Sequence, residues 1–330
     1  MEKSIYSFPE HILEALGLKN DNIFNTDILF SSVIIAGQGG SAIGGFLISD
    51  LLNLNNYDIP IVVNQGYNLP FWANQKTLLI ISSYSGNTEE TINILNEGIQ
   101  NNCQIVCVTS GGKILDLVKK REIEYLLLPK GFQPRAAIAF SIIQLFQILD
   151  YKKILKNRNL LNLNQDSFLK VSRVLKDNQG EIVKQAQYLA KKIGDKITIL
   201  YSSSNFFASV LRFKQQLNEN SKSHCWFNII PEMNHNEIVG WSKSYDNIIS
   251  LFIDSTFDTK ENRKRISLTK NHIKEYSDIE LIQPKGENIF HQIFYLIHLF
   301  DFVSIFLAKN KGVDPSEIAA IDKLKSGLND

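Results

Sequence analysis

Thr77-Leu78-Leu79-Ile80-Ile81-Ser82-Ser83-Tyr84-Ser85-Gly86-Asn87-Thr88-Glu89-Glu90-Thr91-Ile92-Asn93-Ile94-Leu95 is the stretch on which the fold turns. Thr77 to Ile81 is a short apolar run and reads as a buried strand. Thr91 to Leu95 reads as the opening of a helix. Between them stand serines, a glycine, an asparagine and a threonine. A strand that ends in hydroxyls and then enters a helix builds an anion site, because the helix N-terminus offers unpaired N–H groups and the positive end of its dipole. Gly86 lets the backbone turn, and Asn87 with Glu90 three residues on fits an N-cap and its capping box. No lysine stands in the turn and no Walker pattern surrounds it, so a nucleoside triphosphate fits poorly and a single phosphate monoester on a small molecule fits better. The plainer alternative is an ordinary capped loop, but the hydroxyls outnumber what one cap needs.

Outward from this stretch the same design recurs. Ser32 to Ala36 is a β-branched apolar run that opens onto Gly37-Gln38-Gly39-Gly40-Ser41-Ala42-Ile43-Gly44-Gly45 and a helix through Leu52. That turn is close to the dinucleotide fingerprint. The next strand, Pro60 to Asn64, ends without the acidic residue that would hold a ribose, which disfavours a nicotinamide cofactor. Strands at Gln104 to Thr109 and Glu124 to Leu128 follow. Then Gly131-Phe132-Gln133-Pro134-Arg135-Ala136-Ala137 turns into a long apolar helix reaching about Leu149. Such alternation predicts an α/β fold, a parallel sheet with helices on both faces. Lys152 to Ile193 is polar with a helical apolar period and reads as a helical connector. A second α/β unit then repeats the plan: strand Lys196 to Tyr201, hydroxyl turn Ser202-Ser203-Ser204-Asn205, and a helix to about Asn220. Strands follow at His224 to Ile230, Asn247 to Asp254 and Ile279 to Ile282. Helices are expected over Thr259 to Tyr276, Asn288 to Ala308 and Pro315 to Leu328. The expected division is 1–152, connector 153–194, and 195–330, giving two αβα sandwich subdomains with parallel sheets.

The bulk numbers agree with this plan. A chain of 330 residues, 44% hydrophobic and 21% charged, can bury a sizeable core as about two domains. A net charge of +1 leaves no basic excess to neutralise a nucleic-acid backbone. Met1-Glu2-Lys3-Ser4 leads into no apolar signal region. The richest apolar run, Ile293 to Leu307, contains His298 and Asp301 and reads as a buried helix rather than a membrane span. Cys103, Cys107 and Cys225 form neither a disulfide framework nor a zinc pattern, so they read as small core residues of a cytoplasmic protein.

Two further stretches carry candidate chemistry. Pro231-Glu232-Met233-Asn234-His235-Asn236-Glu237-Ile238-Val239-Gly240-Trp241 sets a histidine among polar and acidic neighbours, and histidine trades protons near neutrality. Glu232 and Glu237 lie close in sequence, but no second histidine stands at ligand spacing, so no metal is expected. A solvated turn is the plainer alternative. In the last segment, Pro315 would start a helix, and Ile318, Ile321 and Leu324 would make an apolar stripe beside which the stem of Lys325 could run. Without other evidence that lysine reads as a solvated one.

Taken together, the glycine loop Gly37 to Gly45, Ser83 to Thr91, Pro134-Arg135-Ala136-Ala137, Glu219, Asn234-His235-Asn236-Glu237 and Ile321-x-x-Leu324-Lys325 resemble the bifunctional phosphoglucose/phosphomannose isomerases of the sugar isomerase (SIS) superfamily. The likeness runs from about residue 30 to the end, and the order and spacing of the motifs make it specific. It implies two SIS-type subdomains, a sugar phosphate as substrate, no cofactor, and a homodimer with a shared active site. Ser83, Ser85 and Thr88 would hold the phosphate, with Gly39, Gly40 and Ser41 lining the pocket. Glu219 would move a proton between carbons 1 and 2 through a cis-enediol. His235, supplied in this family by the neighbouring subunit, would open the sugar ring with help from Lys325. Arg135 would stabilise the enediolate. The resemblance expects Met where Gln38 stands, a side chain expected to pack behind the loop. A sugar-phosphate sensor would need the phosphate loop but not Glu219, His235 and Arg135 together. An aminating isomerase would need an ammonia source that this chain does not carry.

Overall fold

The computed structural model describes residues 1–19, 22–23, 28–54, 59–155 and 164–327. Residues 156–163 of the expected connector and the last residue expected in the C-terminal helix, Leu328, lie outside them. The elements run α1 (Glu2–Tyr6), α2 (Phe8–Leu16), β1 (Ser32–Ala36), α3 (Gly39–Asn53), β2 (Ile61–Asn64), β3 (Thr77–Ser82), α4 (Glu89–Gln100), β4 (Gln104–Thr109), α5 (Gly112–Lys120), β5 (Glu124–Leu127), α6 (Ile138–Tyr151) and α7 (Gln165–Asp177). They continue with α8 (Gln179–Ile193), β6 (Ile197–Ser203), α9 (Phe207–Ser221), β7 (Cys225–Ile230), β8 (Ile248–Ile253), α10 (Lys260–Ile273), β9 (Asp278–Ile282), α11 (Ile289–Lys311) and α12 (Ala319–Gly327). The chain forms two compact units, Tyr6–Val174 and Met1–Ile5 with Leu175–Asp330.

In the first unit a five-stranded sheet has the order β2-β1-β3-β4-β5, every pair parallel. Every residue of β1 and of β3 is buried. Such continuous apolar strands are what a parallel sheet covered on both faces requires. The chain leaves β1 for β2 on one side and returns to β3 on the other. The register pairs Ile35 with Ile80 across the two. Loops leaving the carboxyl ends of two such strands diverge and open a crevice, the usual ligand position of an open α/β sheet. Both loops singled out in the sequence lie at this point. The apolar helix α6 is buried almost all round, as a helix in the interior must be.

The second unit repeats the scheme with four parallel strands in the order β7-β6-β8-β9. Its core helix is α11, whose residues from Ile289 to Ala308 are all buried. Length and composition would let α11 cross a membrane, but its apolar window is wholly enclosed by the protein. The free cysteines Cys103, Cys107 and Cys225 are buried, and burial pushes all three thiols up, away from the reactive thiolate.

Three local expectations are corrected. The cap of α4 is Thr88, not Asn87. The carboxamide of Asn87 turns away and accepts the N–H of Lys113 at 3.0 Å, in the first turn of α5. β6 extends through Ser203, so Ser202 and Ser203 are strand residues and the turn begins at Ser204. The last helix begins at Ala319 rather than Pro315. The Asp314 side chain accepts the N–H of Ser316 at 2.7 Å, and the carbonyls of Asp314 and Glu317 accept from Lys222. These oxygens serve a turn in place of helical bonds.

Candidate active site

The two loops of the first unit are stitched together. Ser82 Oγ donates to the Ser41 carbonyl at 3.0 Å, and the Tyr84 N–H donates to Ser41 Oγ at 3.1 Å. Gly39, Gly40 and Ser41 form the first turn of α3 and are partly exposed. Gly40 also touches the third element. A Cβ there would stand 3.0 Å from both Cα and N of Arg135. Only glycine lets the α3 terminus lie directly on the Pro134–Ala136 turn, in which Arg135 is buried.

The hydroxyl loop is equally constrained. Gly86 has φ +66, and a Cβ on it would meet the Gly111 carbonyl at 1.8 Å. Ser83 is buried and its hydroxyl donates to Thr88 Oγ1 at 3.3 Å. Ser85 is exposed, and its Oγ accepts the Asn87 N–H at 3.3 Å. Ser83, Ser85 and Thr88 thus surround the N-terminus of α4, while Gly39, Gly40 and Ser41 form that of α3. Two helix N-termini at one switch point, with several hydroxyls and an arginine turn beside them, could receive a phosphate-sized anion. Gln38 does not simply pack behind its loop; its Nε2 donates to the Gln65 carbonyl at 2.5 Å, tying the glycine loop to the loop after β2.

Tyr84 was not singled out by the sequence reading. Its hydroxyl donates to the Pro129 carbonyl at 2.8 Å and accepts the Phe132 N–H at 2.9 Å. Its own carbonyl accepts the Ser110 hydroxyl at 2.7 Å. Burial holds the phenol above its ordinary range, so it remains a neutral donor. One side chain therefore pins the hydroxyl loop to the segment that leads into Arg135. An aromatic residue amid serines was the only available signal.

In the second unit Glu219 lies in the last turn of α9, half-buried. Arg212, Gln216 and Asn220, spaced four apart on one face of α9, set that helix against α11. Arg212 pairs with Asp301 at 2.6 Å, Gln216 Nε2 donates to the same carboxylate at 2.7 Å, and Asn220 Nδ2 donates to Ser304 Oγ at 2.9 Å. Desolvation raises the Asp301 carboxyl, and Arg212 opposes that shift.

His235 ends a short 3-10 turn, Glu232–His235, and is exposed. The carboxylates near it in sequence have other partners. Glu237 accepts the Tyr201 hydroxyl at 2.6 Å and Asn228 Nδ2 at 2.7 Å, and Glu232 accepts Asn236 Nδ2 at 2.8 Å. Trp241 Nε1 donates to Tyr201 at 3.0 Å, and Asn234 Nδ2 donates to Thr269 Oγ1 at 2.7 Å. Burial and the neighbouring Glu237 push the Tyr201 phenol far up. The loop that presents His235 is thus anchored at both of its ends. Among the described residues no three His, Cys, Asp or Glu side chains converge as metal ligands.

Lys325 lies on α12, none of whose residues is buried. On the stripe beside which its stem was expected to run, Ile321 is 39% and Leu324 65% exposed. Among the described residues the stripe therefore stays largely exposed.

Paired hydroxyl and glycine turns at the carboxyl edge of a parallel sheet define an α/β protein whose helix N-termini can receive a small anion. A family profile, the bacterial phospho-glucose isomerase C-terminal SIS domain, matches residues 182–328. A bifunctional phosphoglucose/phosphomannose isomerase of Caldicellulosiruptor bescii is 36% identical over 344 aligned positions, 99% of this chain and 98% of that relative. One of Aquifex aeolicus is 32% identical, covering 91% of each. Among solved structures, the C-terminal domain of a glucosamine-fructose-6-phosphate aminotransferase from Francisella tularensis superimposes with a TM-score of 0.71 at 16% identity, covering 96% of this chain and 98% of that one. At that identity the likeness speaks for the fold alone. The chain belongs to the bifunctional phosphoglucose/phosphomannose isomerase family.

Proposed function

We propose that this protein is an aldose–ketose isomerase that interconverts fructose 6-phosphate with glucose 6-phosphate and mannose 6-phosphate. The observation that carries the reading is the contact between Gly40 and the Arg135 backbone. It brings the turn that carries the buried Arg135 against the first turn of α3, in a chain that belongs to this family. Ser83, Ser85 and Thr88 hold the phosphate, helped by the N–H groups of Gly39, Gly40 and Ser41. Glu219 takes the proton from carbon 2 of the open-chain aldose. The C–H electrons form the carbon 1–carbon 2 double bond, and the carbonyl electron pair moves to oxygen 1, which takes up a proton. Loss of the oxygen 2 proton forms the carbonyl at carbon 2, and return of the Glu219 proton to carbon 1 yields the ketose. Arg135 supports the developing oxyanion, where a fixed charge is worth most. His235 and Lys325 exchange the protons of ring opening. This chemistry calls for no cofactor. The exposed position of His235 and the uncovered stripe beside Lys325 support a homodimer in which a second copy completes the site. A cytoplasmic role in carbohydrate metabolism, at the hexose-phosphate step of glycolysis and gluconeogenesis, accords with these substrates.

The test is incubation of the purified protein with fructose 6-phosphate in heavy water with a chelator, followed by NMR. Glucose 6-phosphate and mannose 6-phosphate carrying deuterium at carbon 2 are expected. Binding without product would instead establish a sugar-phosphate sensor. Glu219→Gln is expected to lower kcat by about a thousandfold or more while still binding substrate, from the weight a positioned acid–base group carries. Wild-type turnover in that variant would remove Glu219 as the base.

A further inference from the structure

Lys222 stands just past the end of α9 with φ +50 and ψ +40, the left-handed conformation. Glycine is the usual residue there, because a side chain strains that backbone. A lysine held in this position calls for a reason, and its ammonium supplies one. Nζ donates to three carbonyls: Glu219 at 2.8 Å, Asp314 at 2.6 Å and Glu317 at 2.9 Å. An ammonium has three protons and no acceptor, so all its donors are used. One acceptor belongs to the last turn of α9, where carbonyls lack helical partners and a cation is favoured by the dipole. The other two belong to the segment that leads into α12.

The surrounding turn is built to hold this lysine still. Asn218 Nδ2 donates to the Ser223 carbonyl at 2.7 Å, Ser221 Oγ to the Leu217 carbonyl at 2.8 Å, and Lys311 Nζ to Ser223 Oγ at 2.9 Å. An exposed lysine in an ordinary surface pair gives up side-chain freedom for little. Here three converging oxygens and a fixed backbone fix one geometry.

We propose that Lys222 is a positioning residue that clamps the Glu219 turn to the segment 314–317, and so sets Glu219 and the root of the Lys325 helix in register with each other. The inference rests on the isomerase reading for its consequence but not for its geometry. It separates two roles that a helix-terminal residue can have. If Lys222 served only to end α9, glycine would be the better residue, and Lys222→Gly would keep turnover and keep or raise Tm. If it clamps, the same change relieves backbone strain yet frees the segment 314–317, so stability and turnover part company.

The experiment compares wild type, Lys222→Gly and Lys222→Met in the full-length protein for Tm, for steady-state isomerisation of fructose 6-phosphate, and for amide hydrogen exchange over 314–327. Lys222→Gly is expected to hold Tm at or above wild type, and kcat to fall about tenfold or more with KM within about twofold, because a small misplacement of a base acts on the transition state while the phosphate loops are untouched. Exchange over 314–327 should quicken in both variants. Wild-type kcat in Lys222→Gly, or a loss of kcat matched by a loss of Tm in that variant, would overturn the clamp. Should the wild-type protein fail to isomerise the sugar at all, the functional reading falls. The exchange arm then decides alone: faster exchange supports the clamp and unchanged exchange refutes it.

Discussion

Gly40 shows how little freedom the proposed phosphate cradle has. The atoms its Cβ would press on are Cα and N of Arg135, which unlike the end of a side chain cannot rotate away. In Gly40→Ala either the α3 terminus or the arginine turn must move. The expected cost is about 1–3 kcal/mol of stability, typical of overpacking, with at least about a tenfold loss in kcat/KM because both pieces belong to the proposed site. Denaturant melts and steady-state kinetics check it; wild-type kcat/KM would mean that the contact does not position Arg135. His11 lies behind the same segment, 5.0 Å from the Phe132 ring in an edge-on contact. Burial lowers its pKa from 6.5, against the pull of Glu14 and Glu10. The folded state therefore resists protonation while the unfolded chain takes a proton below pH 6.5. Below that pH the unfolded state binds more protons, so stability falls as pH drops from 6.5 towards the lower folded-state pKa, and is flat above it. Melts of wild type and His11→Phe between pH 5 and 7.5 should differ by an amount that changes with pH below about pH 7 and is constant above it, given the reference histidine pKa. A constant difference would show that His11 does not titrate in this window.

Among the elements, the pairing of α9 with α11 decides where Glu219 stands. Arg212 and Asp301 are both buried, with Gln216 sharing the carboxylate. Removing one member leaves an uncompensated charge in the interior, which costs about 3–5 kcal/mol, whereas replacing the charged pair by apolar residues of similar volume can be neutral. Asp301→Ala is therefore expected to lose about 3–5 kcal/mol, and Arg212→Met with Asp301→Leu to recover most of it. Urea melts of the two variants test this; an equal loss in both would mean that packing rather than charge is at stake. The elements also show what could be read in advance. β1 and β3 are built on the apolar runs Val33 to Ala36 and Leu78 to Ile81, whose burial follows from composition alone. Asn87 is different. Its sequence neighbours fit a cap on α4, but Lys113, on a helix reached only through β4, offers the N–H that it takes. Hydrogen bonds made across elements are not encoded in local spacing. For the same reason Tyr84 passed unnoticed, since its partners Pro129 and Phe132 lie more than forty residues away. The stripe on α12 is the opposite case: the pattern is plain in the sequence, yet among the described residues Ile321 and Leu324 stay exposed.

On the scale of the whole molecule, the two sheets share a plan and differ at the point where a ligand would bind. Each switch point has a hydroxyl turn. In the first unit Ser85 and Thr88 act as acceptors within the loop, from the Asn87 N–H and the Ser83 hydroxyl, so their own O–H groups can turn to an incoming anion beside the helix N-termini. In the second, Asp258 already occupies the corresponding place. It accepts the Ser203 hydroxyl at 2.5 Å and Asn205 Nδ2 at 3.0 Å, and is 7% exposed. Desolvation raises its carboxyl against these two donors. A phosphate arriving there would find its donors taken and a buried carboxyl in its place. The sequence alone presented the turn at Ser202 to Asn205 as a repeat of the first, because Asp258 lies on another loop. The expectation is therefore one phosphate site per chain, in the first unit. Calorimetry with glucitol 6-phosphate, a substrate analogue that cannot isomerise, should give a stoichiometry of one per chain. Ser83→Ala with Thr88→Ala should lower its affinity about tenfold or more, from the loss of charge-assisted hydrogen bonds. Ser203→Ala with Asn205→Ala should leave affinity unchanged. Two sites per chain, or an affinity that follows the Ser203 and Asn205 variant instead, would place the phosphate in the second unit and reverse the roles given to the two turns.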